Sequence, residues 1–266
     1  MTTRHGQRAL LIDITRCIGC NACSAACQEL HKFPGDGTDV ELSATAYTVV
    51  QDKGEDRFVR KMCMHCVEPS CVSVCPVGAF SKTTLGPVTY DASKCLGCRY
   101  CMVACPFGIP RYEWSKAVPE VRKCDFCVDR AQAGQLPACA EACPAEATVA
   151  GTREDLIAEA HRRIREEPGK YHPHVYGETE VGGTSVLFLS PVPFESLGFR
   201  TDLGSGALPI LTWKALSKIP AMVSFGGAAL FGVFWITHRR QEVAAAEHAK
   251  LEAPAPPEKE AGHAVR

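Results

Sequence analysis

The chain has 266 residues, a formal net charge of −1 and 46% hydrophobic residues. That length allows one or two domains plus an anchor, and the near-neutral balance excludes a dedicated nucleic-acid binder, which needs a basic excess. Its 16 cysteines all lie at or before Cys143.

In chain order, the first residues are polar, and Ala9-Leu10-Leu11-Ile12 is too short for the apolar stretch of a secretory leader. No twin-arginine pair precedes the first cysteine, so export requires a partner that carries the chain or a leader outside this sequence. A β-prone run, Ala9–Ile14, leads into a first cysteine group, Cys17-Cys20-Cys23-Cys27. Runs Tyr47–Gln51 and Phe58–Met62 precede a second group, Cys63-Cys66-Cys71-Cys75. Ala79–Thr83 and Val88–Tyr90 bracket the turn Leu85-Gly86-Pro87 and are expected to form a hairpin. The third group is Cys95-Cys98-Cys101-Cys105 and the fourth Cys124-Cys127-Cys139-Cys143. Strand, cysteine group, connection, strand, cysteine group is a weak internal repeat.

Each group opens with C-x-x-C and closes with C-x-x-x-C. Proline follows three of the four closing cysteines: Pro76, Pro106 and Pro144. Groups one and three have the spacing of bacterial ferredoxins. A cubane [4Fe–4S] cluster needs one thiolate per iron. A tight loop wraps three corners, and the fourth cysteine, expected to start a short helix, points to a neighbouring cube. Sixteen thiolates then hold four [4Fe–4S] clusters. A disulfide framework belongs to short secreted chains, and structural zinc needs neither the third cysteine nor the C-x-x-x-C-P ending.

After the cysteines, Thr152-Arg-Glu-Asp155 reads as a helix N-cap, with Leu156, Ile157, Ala160 and Ile164 at helical spacing and Pro168-Gly169 as the stop. Ser185–Ser190 reads as a strand. His172 and His174 form an H-x-H in a loop, which is usually just exposed. Ile219–Thr237 is uncharged and just long enough to cross a bilayer. Trp213 and Trp235 suit its two interfaces, and Gly226, Gly227 and Gly232 suit close approach of another helix. Residues 241–266 are rich in Ala, Glu, Lys and Pro and are expected to be disordered. The domain reading is a four-cluster head at 1–151, an extension packing on it at 152–206, a membrane anchor at 207–240 and the tail. No dinucleotide or phosphate-loop signature appears, nor any catalytic constellation.

The fourth group, Cys124-Asp-Phe-Cys127-Val-Asp-Arg through Gly-Gln-Leu-Pro-Ala-Cys139 to Cys143-Pro144, resembles four-cluster electron-transfer subunits of membrane-bound oxidoreductases. These include the β subunit of formate dehydrogenase-N and the ferredoxin-type subunit of hydrogenase-2-like uptake hydrogenases. The third group, Asp91 to Gly108, resembles them equally. Tyr176-Gly177-Glu178 and Ser190-Pro-Val-Pro-Phe194 are closer to the hydrogenase relatives. The likeness covers about residues 9 to 240, and the first group departs in having Gln28 where proline often follows.

The resemblance implies an α+β fold of two ferredoxin-like halves with a pseudo-twofold relation, binding four cubane clusters, plus one C-terminal transmembrane helix. It implies crossed ligand sets. Cluster 1 takes Cys17, Cys20, Cys23 and Cys143; cluster 2 takes Cys27, Cys124, Cys127 and Cys139. Cluster 3 takes Cys63, Cys66, Cys71 and Cys105; cluster 4 takes Cys75, Cys95, Cys98 and Cys101. The chain is then no catalyst alone. It passes electrons between a molybdenum- or tungsten-pterin or nickel–iron subunit and an integral-membrane quinone-reactive subunit of b-type cytochrome kind. Other molybdopterin oxidoreductases (polysulfide, DMSO or nitrate reductase type) or a soluble polyferredoxin role are the alternatives. Amides of Gly19 and Gly97 are expected to donate to sulfur, and Lys94, Arg99 and Lys123 either raise cluster potentials or are exposed charges. His65 is expected near a cluster or at the surface rather than as a ligand. Basic residues flank the apolar span three against three, so charge alone sets no orientation. Arg239-Arg240 and the resemblance both favour an inner-membrane protein with a periplasmic head and a cytoplasmic C-terminus.

Overall fold

The computed structural model describes residues 6–114, 116 and 119–252 and divides into two units, one up to Leu211 and one from Thr212. In chain order the first unit contains β1 (Arg8–Asp13), α1 (Ala22–His31), β2 (Thr48–Asp52), β3 (Phe58–Met62), α2 (Ser70–Ser73), β4 (Phe80–Lys82) and β5 (Val88–Tyr90). Then come α3 (Tyr100–Ala104), β6 (Arg111–Tyr112), β7 (Val121–Arg122), α4 (Val128–Gln132), α5 (Ala138–Glu141), β8 (Thr148–Thr152), α6 (Arg153–Glu166) and β9 (Val186–Leu189). Two further helices follow, α7 (Leu208–Leu216) and α8 (Ile219–Glu252).

Every strand run expected before a cysteine group forms, and β4 and β5 pair as the expected antiparallel hairpin. The central sheet has the order β8-β1-β9. β8 pairs antiparallel with β1, whereas β9 pairs parallel to it, Leu10 opposite Val186. β1 is covered on both faces, which is why it is apolar throughout rather than alternating. Leu10 and Ile12 face a core that includes Cys23, Cys27, Cys124 and Cys139. Ala9 and Leu11 face the other way, against Leu156 and Ala160 of α6 and Leu187 and Leu189 of β9. The stretch expected to pack on the cysteine-bearing head therefore shares its sheet.

α6 starts at the expected cap: the Thr152 hydroxyl accepts from the Asp155 amide at 3.2 Å. Its last turn reaches back to the head. The fully buried carboxylate of Asp13 accepts from Arg163 Nη1 at 3.0 Å and from the Tyr171 hydroxyl at 2.9 Å. Gly177, in the Tyr-Gly-Glu element, has φ 97°. A Cβ there would stand 2.4 Å from the Val186 carbonyl oxygen, so only glycine fits.

The C-terminal helices differ from expectation in extent. Pro220 allows a fresh helix start but no backbone donor, and the helical path is interrupted between α7 and α8. α8 then runs 34 residues, through Thr237 and on to Glu252 rather than giving way to disorder at residue 241. Residues 241–252 are mostly good helix formers, and Glu242 pairs with His238 and Arg239 one turn earlier. The remainder of the expected tail, 253–266, lies outside the described residues. One candidate span, Leu208–Leu251, is long enough to cross a membrane and holds an 18-residue stretch of mean hydropathy 1.8, apolar enough to do so.

Candidate metal centres

Each cysteine group is built on one local device. The residue just before the second cysteine adopts left-handed backbone in all four loops: Gly19, His65, Gly97 and Phe126, with φ of 68°, 46°, 74° and 64°. Two are glycine because neighbours crowd the loop. A Cβ on Gly19 would meet the Phe58 ring at 2.5 Å, and one on Gly97 the Tyr112 hydroxyl at 2.8 Å. The other two carry buried side chains that pack on each other edge to face, His65 and Phe126, with centroids 4.9 Å apart.

A short helix follows in each group, but it starts before the third cysteine rather than at the fourth. Cys23 and Cys27 lie within α1; Cys71, Cys101 and Cys139 lie in α2, α3 and α5, with their closing cysteines at or just past the helix end. Residues four apart sit on one helix face one turn apart, so a single turn presents two thiols to two different places. Proline after the closing cysteine stops the helix there. Where Gln28 replaces it, α1 continues to His31. The buried Gln28 amide secures the loop that follows. Its Oε1 accepts from the Gly37 amide at 2.7 Å, and its Nε2 donates to Asp39 at 2.6 Å.

All sixteen cysteines are free thiols, and they gather across group boundaries. Burial and then the thiols of Cys23, Cys143 and Cys20 act to raise the Cys17 thiol, against the Gly19 amide, which bonds its sulfur as expected. Cys17, Cys20, Cys23 and Cys143 line one cavity with Ile12, Val50 and Arg60. Cys27 is pushed up to about 12 by burial and by Cys139 and Cys127; Cys124 is raised by burial, Asp125, Cys27, Cys63 and Cys139. Cys66 is raised by burial and by Cys63, Cys105 and Cys71. Cys101 is pushed up to about 11 by burial and Cys95, with Cys98 and Cys75 adding to it. Cys75, Cys95, Cys98 and Cys101 line a second cavity. The thiols also act on one another electrostatically across these sets: Cys139 on Cys23, Cys63 on Cys124, and Cys101 on Cys71. Only Cys20 and Cys98 are exposed.

Thiols held this way fit a cluster rather than a lone ion. Among the described residues no three His, Cys, Asp or Glu side chains are placed to hold a single metal ion. A cube spreads its four ligands over four irons, so its thiolates need not converge on one point. Backbone amides complete the setting: Ala79 donates to Cys75 Sγ at 3.2 Å and Phe126 to Cys124 Sγ at 3.4 Å.

The other candidates separate clearly. His65 is fully buried; its Nδ1 accepts from the Val88 amide at 3.0 Å, and its Nε2 has no hydrogen-bond partner among the described residues. Burial first, then Lys123 and Lys82, holds its pKa well below the ordinary imidazole range, so the ring is neutral. Lys123 is buried and donates to the carbonyls of Val88 and Cys124. Lys94 is exposed and pairs with Asp91. Arg99 is exposed and stacks over Tyr112 and Trp114, 4.8 and 4.6 Å from the ring centroids. His174 lies 2.6 Å from Glu180 Oε1. One residue absent from the sequence expectation stands among the thiols. Arg60 of β3 is 3% exposed and donates to Thr48 Oγ1 at 2.8 Å and Thr148 Oγ1 at 3.2 Å.

Comparison with known proteins agrees with this chemistry. Residues 9–76 and 55–153 match two families, each described as a 4Fe-4S dicluster domain. A Nitratidesulfovibrio vulgaris protein is 44% identical over 257 residues, covering 91% of this chain and 70% of that one. The hydrogenase-2 operon protein HybA of Escherichia coli O157:H7 is 40% identical, covering 76% of each chain. The formate dehydrogenase-O iron-sulfur subunit of Escherichia coli K12 is 34% identical, covering 85% of this chain and 81% of its own. The chain belongs to the 4Fe-4S iron-sulfur subunit family that contains these hydrogenase-2 operon and formate dehydrogenase proteins.

Proposed function

We propose that this chain is the electron-transfer subunit of a formate dehydrogenase or hydrogenase-2 type complex, holding four [4Fe–4S] clusters in a single file. The observation that carries this reading is that thiols from different cysteine groups come together: Cys143 shares a cavity with Cys17, Cys20 and Cys23, and Cys75 one with Cys95, Cys98 and Cys101. The sets are Cys17, Cys20, Cys23, Cys143; Cys27, Cys124, Cys127, Cys139; Cys63, Cys66, Cys71, Cys105; and Cys75, Cys95, Cys98, Cys101. On this reading the clusters run in the order 1-2-3-4, and the exposure of Cys20 and Cys98 supports clusters 1 and 4 as the surface ends. When bound, the clusters accept and release single electrons. The chain's own residues fix their spacing, shield the inner pair and set local charge. Of the three cations weighed from sequence, the buried Lys123 fits potential tuning, while Lys94 and Arg99 are surface charges. The crossed sets make groups one and four one half and groups two and three the other, with a pseudo-twofold relation between them.

Anaerobically prepared protein is expected to contain about sixteen iron and sixteen acid-labile sulfide per chain, from four cubes. Stoichiometric zinc with little iron would reject the electron-transfer role.

The partners follow from the same reading: a catalytic subunit of pterin or nickel–iron type and an integral quinone-reactive subunit of b-type cytochrome kind. α8 serves as a single membrane anchor. Its apolar side chains are open, Phe225 at 78% and Leu230 at 72% exposure, and such a surface needs lipid or another helix. With the head periplasmic, a cysteine introduced at Lys250 is shielded from an impermeant thiol reagent in intact cells, while one at Glu166 is labelled. The reverse pattern places the clusters in the cytoplasm.

A further inference from the structure

Arg60 is a buried cation without a carboxylate. Among the described residues no Asp or Glu pairs with it, and its two bonded nitrogens are held by neutral threonine hydroxyls. Its remaining nitrogen, Nη2, is buried and has no well-aligned hydrogen-bond partner among the described residues, and the guanidinium otherwise reaches the Cys139 thiol. Leaving a guanidinium so placed is strongly unfavourable unless an anion stands close by. The groups that act on it are thiols from two different sets: burial disfavours its charge, but Cys139 and Cys23, with Cys124 behind them, outweigh this and raise its pKa. Arg60 also lines the cavity of Cys17, Cys20, Cys23 and Cys143.

The structure fixes this placement firmly. Arg60 lies opposite Val50 in the β2–β3 ladder, Thr48 is in β2, and Thr148 opens β8. Two sheets thus aim one guanidinium between the thiols of the first and fourth cysteine groups. An iron–sulfur cube with four thiolates is anionic in both oxidation states and gains a further negative charge on reduction. A fixed cation therefore stabilises the reduced form more, and cluster potentials depend on such charges and on solvent exposure.

We propose that Arg60 is the shared buried counter-charge of clusters 1 and 2 and raises the reduction potential of both. The proposal rests on the four-cluster reading with its crossed sets. Permanent charge suits this role, since a guanidinium does not titrate in the working range.

The test uses the full-length complex purified without oxygen, with iron counted before any potential is measured. Fewer than four clusters in the unaltered chain would overturn the four-cluster reading itself. In Arg60→Gln, redox titration followed by electron paramagnetic resonance is expected to show two clusters harder to reduce. The one-electron equilibrium of each shifts at least tenfold, about 59 mV for one electron, while the other two stay in place. Arg60→Lys keeps the charge and is expected to keep most of both potentials. Four clusters at unaltered potentials in Arg60→Gln, or an equal fall in all four, would overturn the role of Arg60. If Arg60→Gln and Arg60→Met fail to load clusters 1 and 2 while Arg60→Lys loads them, the counter-charge role stands. If lysine fails with them, Arg60 acts by shape alone and the proposal is wrong.

Discussion

Cys143→Ala is expected to remove the cluster held by Cys17, Cys20 and Cys23, leaving the cluster of Cys124 and Cys127 in place. Iron content then falls by about a quarter, one cube of four. The basis is spatial: Cys143 follows α5, yet its thiol stands in the cavity with Cys17, Cys20 and Cys23. Its neighbour one turn earlier, Cys139, acts on Cys27 and Cys127 and is assigned to their set. Electron paramagnetic resonance of the reduced protein separates the outcomes. Loss of the signal assigned through Cys124 and Cys127 variants, with the Cys17 signal intact, would mean that each group holds its own cube and that the two halves do not interlock.

The second large effect lies away from the thiols. Asp13→Ala is expected to destabilise the first unit by about 3–5 kcal/mol, the usual cost of stripping one partner from a buried ion pair. Asp13 is fully buried, Arg163 is nearly so, and Tyr171 and the Thr15 amide and hydroxyl donate to the same carboxylate. Arg16 adds a longer contact at 3.6 Å. Removing the carboxylate strips the buried Nη1 side of the Arg163 guanidinium of its charge partner, leaving Glu159 on Nε at 2.7 Å, and takes the acceptor from Tyr171 and Thr15. Urea unfolding of the anaerobic protein measures the cost. A second variant, Asp13→Ala with Arg163→Met, is expected to recover part of the loss, because removing both charges of the buried pair costs less than leaving its Nη1 side buried without an acceptor. A single variant within about 1 kcal/mol of the parent would show that the buried pair does not hold α6 to the sheet.

Much of the site was legible because its chemistry is local. Loop spacing places three thiols by itself, and proline after the closing cysteine marks the end of a helix turn. Strands β3 and β5 and the Thr152 cap were legible for the same reason: residue type and short-range pattern decide them. Features set by distant partners were not. Arg60 sits in an ordinary strand, and its thiols come from residues 23 and 139, so no window of sequence contains the constellation. Asp13 and Arg163 are separated by 150 positions. β9 was legible as a strand, but its parallel place beside β1 depends on the whole chain between them. The helical stretch 241–252 was misread because charge and alanine content suit both a solvated helix and a disordered tail, and the helix already running through Thr237 tips the balance. Gln28 looked like a lapse from the proline pattern, yet it frees α1 to extend and pins the following loop.

The stacked pair His65 and Phe126 bears on how fast charge can cross the molecule. They occupy matching positions in the second and fourth loops and are almost wholly buried, beside Cys63 and Cys124, whose thiols act on one another across the inner cysteine sets. When charge arrives at a site, its surroundings must rearrange, and mobile water is the costliest part of that rearrangement. Both rings are shut off from solvent, so an inner crossing beside them, on the single-file reading, would meet a small reorganisation energy. Cys20 and Cys98 face solvent, where the same arrival reorients many dipoles. Heavy water or a viscous co-solvent should thus slow electron entry and exit while leaving the inner crossing nearly unchanged.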